Sequence, residues 1–173
     1  MNGPDRLRSL TLLAEGRDAV LASLQGLAEE NASLRASPDR WSVLEILEHI
    51  CLGEDLMFLA LSTRLPLADS PRGPEREDAI IAGTTRREDK ITAPDRMRPT
   101  GQFASLAHAL AHFSAARART IAYVESCDRD LRLYRAKHPT IGDISGQEFL
   151  FILALHPSRH ALQIRETRDA LKI

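Results

Sequence analysis

The sequence predicts an all-α fold, a four-helix bundle with one long crossover between helices 2 and 3. Three observations lead there. Four segments repeat apolar residues at helical spacing, and none shows a convincing strand alternation. The second and third of these segments are separated by a proline-rich stretch of about Thr63 to Pro99. The 173 residues, 43% hydrophobic and 27% charged, suit one ordinary soluble domain spanning 1–173.

The first helix is predicted from about Pro4 to Glu30. Leu10, Leu13, Val20, Leu24 and Leu27 form its stripe, and Pro4 suits the first turn, where a missing N–H costs nothing. The second runs from about Ser42 to Ser62. Ser42 and Glu45 form a capping box at its start, and Trp41 with Ile46 form a hydrophobic staple. The crossover follows. Pro66, Pro71, Pro74, Pro94 and Pro99 forbid a continuous helix there, although a short one fits around Glu75 to Ile81. Its many arginines are nearly balanced by acids, so a solvated loop is the simpler reading and a substrate lid or anion site the sharper one. The third helix is predicted from about Gly101 to Glu125, with Phe103, Leu106, Leu110, Phe113, Ile121 and Val124 inward. The fourth runs from about Gly146 to Leu171. Ser145 and Glu148 repeat the capping box, and Ile144 with Phe149 the staple.

Composition excludes several functions. With 23 Lys and Arg against 24 Asp and Glu, the formal net charge is -1, which argues against a dedicated nucleic-acid binder. Two cysteines, Cys51 and Cys127, make no disulfide framework and fit a reducing compartment. The N-terminus lacks a signal-peptide core, and no apolar run reaches membrane-spanning length. A cytoplasmic protein without membrane partners is the expectation.

Histidines carry the chemistry. On a helix each residue turns by ~100°. In the second helix His49 falls within the arc of Ile46, Ile50, Gly53 and Met57. In the fourth, His156 and His160 lie near the middle of the arc of Phe149, Ile152, Leu153 and Ile164, with Gln163 at its edge. Residues four apart stand one above the other, so this pair could meet a third imidazole from a facing helix. Buried imidazoles need partners, and the apolar neighbours offer few. Either each ring finds an ordinary hydrogen bond in the core, or all three share one divalent metal. A three-imidazole ion would keep open positions for water or substrate. His108 and His112 also sit four apart, but about 140–180° from the stripe of their helix, on a solvated face. His138, beside Pro139, carries no chemistry. Pro157 should kink the fourth helix, which either aims His156 or spoils the spacing.

Trp41, Ser42, Glu45, His49 and Ile50, followed far downstream by Gly146, His156, Arg159, His160, Gln163 and Ile164, resemble the DinB-like superfamily. The resemblance spans nearly the whole chain. It implies a four-helix bundle with an up-up-down-down path and a divalent metal held by His49, His156 and His160. Nickel, zinc and iron all suit such nitrogen donors. It also implies a homodimer and a small-molecule substrate. Relatives include S-transferases that use a low-molecular-weight thiol and metal-dependent hydrolases. Pro157 departs from the family pattern.

The expected function is therefore a metal-dependent transferase or hydrolase that activates a thiol or water. The alternative is a non-catalytic metal-binding or interaction module of the same fold. Gln163 is a candidate hydrogen-bond partner of a ligand, and Arg159 either binds an acidic substrate or forms a bundle salt bridge. Glu45 is explained by capping, and Cys51 by packing.

Overall fold

A computed structural model describes residues 1–87 and 92–173. Its bundle helices are α1 (Gly3–Leu24), α2 (Val43–Leu59), α4 (Leu106–Ser126) and α5 (Gly146–Leu171), with a short α3 (Glu77–Thr85) in the crossover. Each bundle helix starts where a side chain accepts an otherwise unpaired backbone N–H. Asn2 caps α1, Ser105 caps α4, and both capping boxes form at Ser42/Glu45 and Ser145/Glu148. Among the described residues, no helix is long and apolar enough to cross a membrane.

Helix α1 packs on α4 and α5, and α2 packs on the same two. Their directions follow from residue pairs. Arg6, near the start of α1, donates to the carbonyls of Val124 and Cys127 at the end of α4. Gln147, at the start of α5, donates to Ser9, and Arg168, near its end, to Ser23. Thus α1 runs with α5 and against α4. His49 meets His160 while Gly53 meets His156, so α2 runs against α5. The path is up-down-down-up, which corrects the expected up-up-down-down. The reason lies in the links. Residues 25–42 fold into tight turns and join antiparallel helices, whereas the long crossover travels back along the bundle and lets α4 run with α2.

Other boundaries differ for local reasons. Helix α1 stops at Leu24, and Gly26 adopts φ +74, a left-handed conformation suited to glycine. Helix α4 begins at Leu106 instead of 101, because residues 100–102 are drawn to Glu48 and Gly101 has φ +81. The short crossover helix lies at Glu77–Thr85, two to four residues later than expected. A hairpin of β1 (Arg135–His138) and β2 (Gly142–Ser145) pairs Arg135 with Ser145 and Ala136 with Ile144. Each strand has four residues, too few for alternation to show, and their buried pair is Ala136 and Ile144. Glu88, Asp89 and Lys90, part of the crossover's balanced charge, lie outside the described residues.

Leu13, Ile46, Leu47, Ile50, Phe113, Phe151 and Leu153 are fully buried in the core. An ion pair lies among them. The Arg117 guanidinium on α4 is 0% exposed and donates to the Glu54 carboxylate on α2 at 2.8 Å. The Thr120 hydroxyl donates to the other Glu54 oxygen at 2.7 Å. A buried charge of this kind is tolerable only when paired and hydrogen-bonded.

Candidate metal centre

The three histidines converge. One nitrogen of each of His49, His156 and His160 lies within 4.8 Å of the others. His49 is 3% exposed, while His156 and His160 are partly exposed. Helices α2 and α5 face each other across this point, so a one-turn spacing on α5 brackets a single imidazole on α2.

Hydrogen bonds fix which nitrogens are bare. The Nδ1 of His49 lies 2.7 Å from the Met97 carbonyl, which can only accept. His49 therefore carries its proton on Nδ1. The Nδ1 of His160 lies 2.9 Å from Gln163 Oε1, and Arg87 donates to that same oxygen at 3.3 Å. Arginine has no acceptor, so the oxygen assignment holds and His160 is also protonated on Nδ1. Both Nε2 atoms are left with lone pairs, and they face each other at 3.1 Å. Two bare lone pairs repel at that distance. His156 adds a buried Nδ1 with no hydrogen-bond partner among the described residues. Zn–N bonds of about 2.0–2.1 Å put neighbouring ligand nitrogens of one ion about 3.0–3.4 Å apart. The donor set thus fits a single divalent cation.

The electrostatics agree. Burial pushes all three imidazoles below their ordinary value, His156 well below it and His160 to about 3. The mutual proximity of the rings and the nearby cations, Arg159 among them, lower His156 and His160 further. All three stay neutral at neutral pH, the form that binds a metal.

Neighbouring groups hold the rings. Gln163 orients His160 and is itself held by Arg87, which also forms a two-pronged pair with Glu166 at 2.9 and 3.0 Å. Gly53 makes room for His156: a methyl group there would sit 2.8 Å from the ring's Cε1. Trp41 packs against His49, with ring centres 5.1 Å apart. Glu48, 1% exposed, accepts N–H bonds from Thr100, Gly101 and Gln102 and so anchors the chain just beyond Met97. The crossover is therefore more than a solvated loop, because it reaches the histidines through Arg87 and Met97.

The structure brings His49, His156, His160 and Gln163 together, with Arg159 close to His156 and His160. Sequence reasoning missed Glu48, Met97 and Arg87. A glutamate inside an apolar helical run was the one available sign of Glu48, while a carbonyl such as that of Met97 carries no side-chain signature. Glu45 does cap, and it also pairs with Arg35. Cys51 is buried, donates to the Ala109 carbonyl and has its thiol pushed up to about 12, which rules out a ready thiolate. His112 instead binds Asp55 on an exposed face, and His138 contacts Thr140 in the hairpin. Pro157 lies inside a continuous α5 and leaves the three rings together.

Known proteins agree with this architecture. The sequence profile of the DinB superfamily matches residues 12–164. An uncharacterized protein of Bacillus subtilis (strain 168), YuaE, is 22% identical over 163 residues, covering 94% of this chain and 99% of its own length. The solved structure of YfiT from Bacillus subtilis, described as a probable metal-dependent hydrolase with an unusual four-helix bundle topology, superposes with a TM-score of 0.60. That match has 15% sequence identity and covers 99% of this chain and 90% of YfiT. The chain belongs to the DinB superfamily.

Proposed function

We propose that this protein is a metal-dependent enzyme in which His49, His156 and His160 hold one divalent ion and act on a small molecule. The observation that carries the reading is the pair of bare Nε2 atoms facing each other at 3.1 Å. An ion with three neutral ligands keeps its charge and its open positions, and supplies the Lewis acidity that makes water or a thiol nucleophilic near neutral pH. Met97 and Gln163 hold His49 and His160 in the tautomer that points a lone pair inward. The Trp41 ring and the core shield the inner side of the site.

The likeness to YfiT, a probable metal-dependent hydrolase, supports a hydrolase. The family resemblance supports a low-molecular-weight-thiol S-transferase as the second reading. Nickel, zinc and iron all suit the donors. Two measurements test the proposal. Elemental analysis of purified protein should find roughly one divalent ion per chain, as a three-imidazole site requires, and His160→Ala should remove it. Equal metal content in the two proteins would end the assignment. Metal-loaded protein should then be offered esters, amides and alkylating electrophiles, alone and with bacillithiol, mycothiol or glutathione. Turnover without thiol selects the hydrolase, turnover only with thiol selects the transferase, and none in either case leaves a metal-binding module.

A further inference from the structure

Helix α5 passes through Pro157 without a break. Proline has no N–H, so the Leu153 carbonyl, four residues back, has no donor in its own helix. Leu153 is 0% exposed. A carbonyl stranded there without a partner costs free energy. The donor comes from another helix. Nη2 of Arg117, on α4, lies 3.4 Å from the Leu153 carbonyl, and Nη1 lies 3.3 Å from the Ala154 carbonyl. Gly16 on α1 packs against that same Ala154 carbonyl so closely that any side chain would collide with it.

The guanidinium also grips α2. Its Nη2 donates to Glu54, and Glu54 follows Gly53, the residue against which the His156 ring rests. One buried cation therefore links the α5 turn preceding His156 to the α2 turn that faces its ring. Lysine could not reproduce this, because it lacks a planar fork of donors. Nor does core filling explain it: well-packed apolar residues of similar volume often replace a buried ion pair at no loss. We propose that Arg117 is a positioning residue for His156. It replaces the amide that Pro157 lacks and so holds the turn that presents the imidazole.

The consequence is a coupling between residues 117 and 157. The pair Glu54→Gln with Arg117→Met removes the fork without stranding a carboxylate. It should be made in the natural chain and in a Pro157→Ala chain, where the restored amide can serve the Leu153 carbonyl. In the natural chain it should lower the urea midpoint of the metal-free protein and weaken zinc binding about tenfold, the scale of a ligand-orienting contact. With Pro157→Ala, both losses should largely disappear. Equal losses in the two backgrounds would overturn the proposal, as would failure to fold in both. Arg117→Lys, which keeps a charge for Glu54, gives a milder form of the same comparison. The zinc readout rests on the proposed metal site, but the urea readout does not. Absent zinc binding with an intact urea coupling would fault the metal reading alone.

Discussion

At the scale of single residues, the site depends on groups that never touch an ion. Gln163 accepts from His160 and is anchored by Arg87. Gln163→Leu should therefore release the ring and lower metal affinity about 10–100-fold, with little change in the urea midpoint. Chelator competition measures the first and urea unfolding the second. A variant that bound metal as tightly as the natural protein would remove Gln163 from this role. Gly53 is a second case. Glycine inside a helix costs roughly 1 kcal/mol relative to alanine, so its presence in α2 needs a reason. The His156 ring 2.8 Å from a would-be methyl supplies one. Gly53→Ala should weaken metal binding even where it leaves the helix as stable or more so.

At the scale of elements, the crossover is tied to α2 by one carboxylate. Glu48 gathers N–H groups from residues 100–102, and Met97 just before them fixes the His49 tautomer. Glu48→Ala would leave those groups unpaired in a partly buried place, at a cost of about 1–3 kcal/mol. It should also loosen His49, so that metal affinity falls together with stability. Urea unfolding and zinc titration of the same variant check both. The helices themselves were legible in the sequence, because capping boxes at Ser42 and Ser145 and long apolar stripes are local signals. The β1–β2 hairpin was not, since its short strands are held by pairing with each other and by packing on the bundle.

At the scale of the molecule, proton linkage becomes visible. Burial lowers the pKa of His49, His156 and His160 in the folded chain, His160 from near 6.5 to about 3. Below the unfolded value the unfolded chain binds more protons than the folded one. Stability of the metal-free protein should thus fall as pH drops below about 6.5 and keep falling toward the folded values. Urea midpoints between pH 7 and 5 (roughly the window before carboxylates titrate) should show this slope. His49→Gln with His160→Gln should flatten it, and an unchanged slope would contradict the neutral cluster. The path of the bundle also belongs at this scale. Apolar stripes say which faces turn inward, but they do not say which way each helix runs.

Period, capping and composition are properties of short stretches of chain, so they declared the helices, the inward faces of His49, His156 and His160, and the place of Gln163 before any coordinates. Those signals are local because one helical turn spans only 3.6 residues. Direction of travel, the reach of Met97 and Glu48 across the crossover, and the Arg117 fork behind Pro157 join residues 36 to 145 positions apart. Such contacts depend on how the helices pack against one another, and packing is a property of the assembled chain.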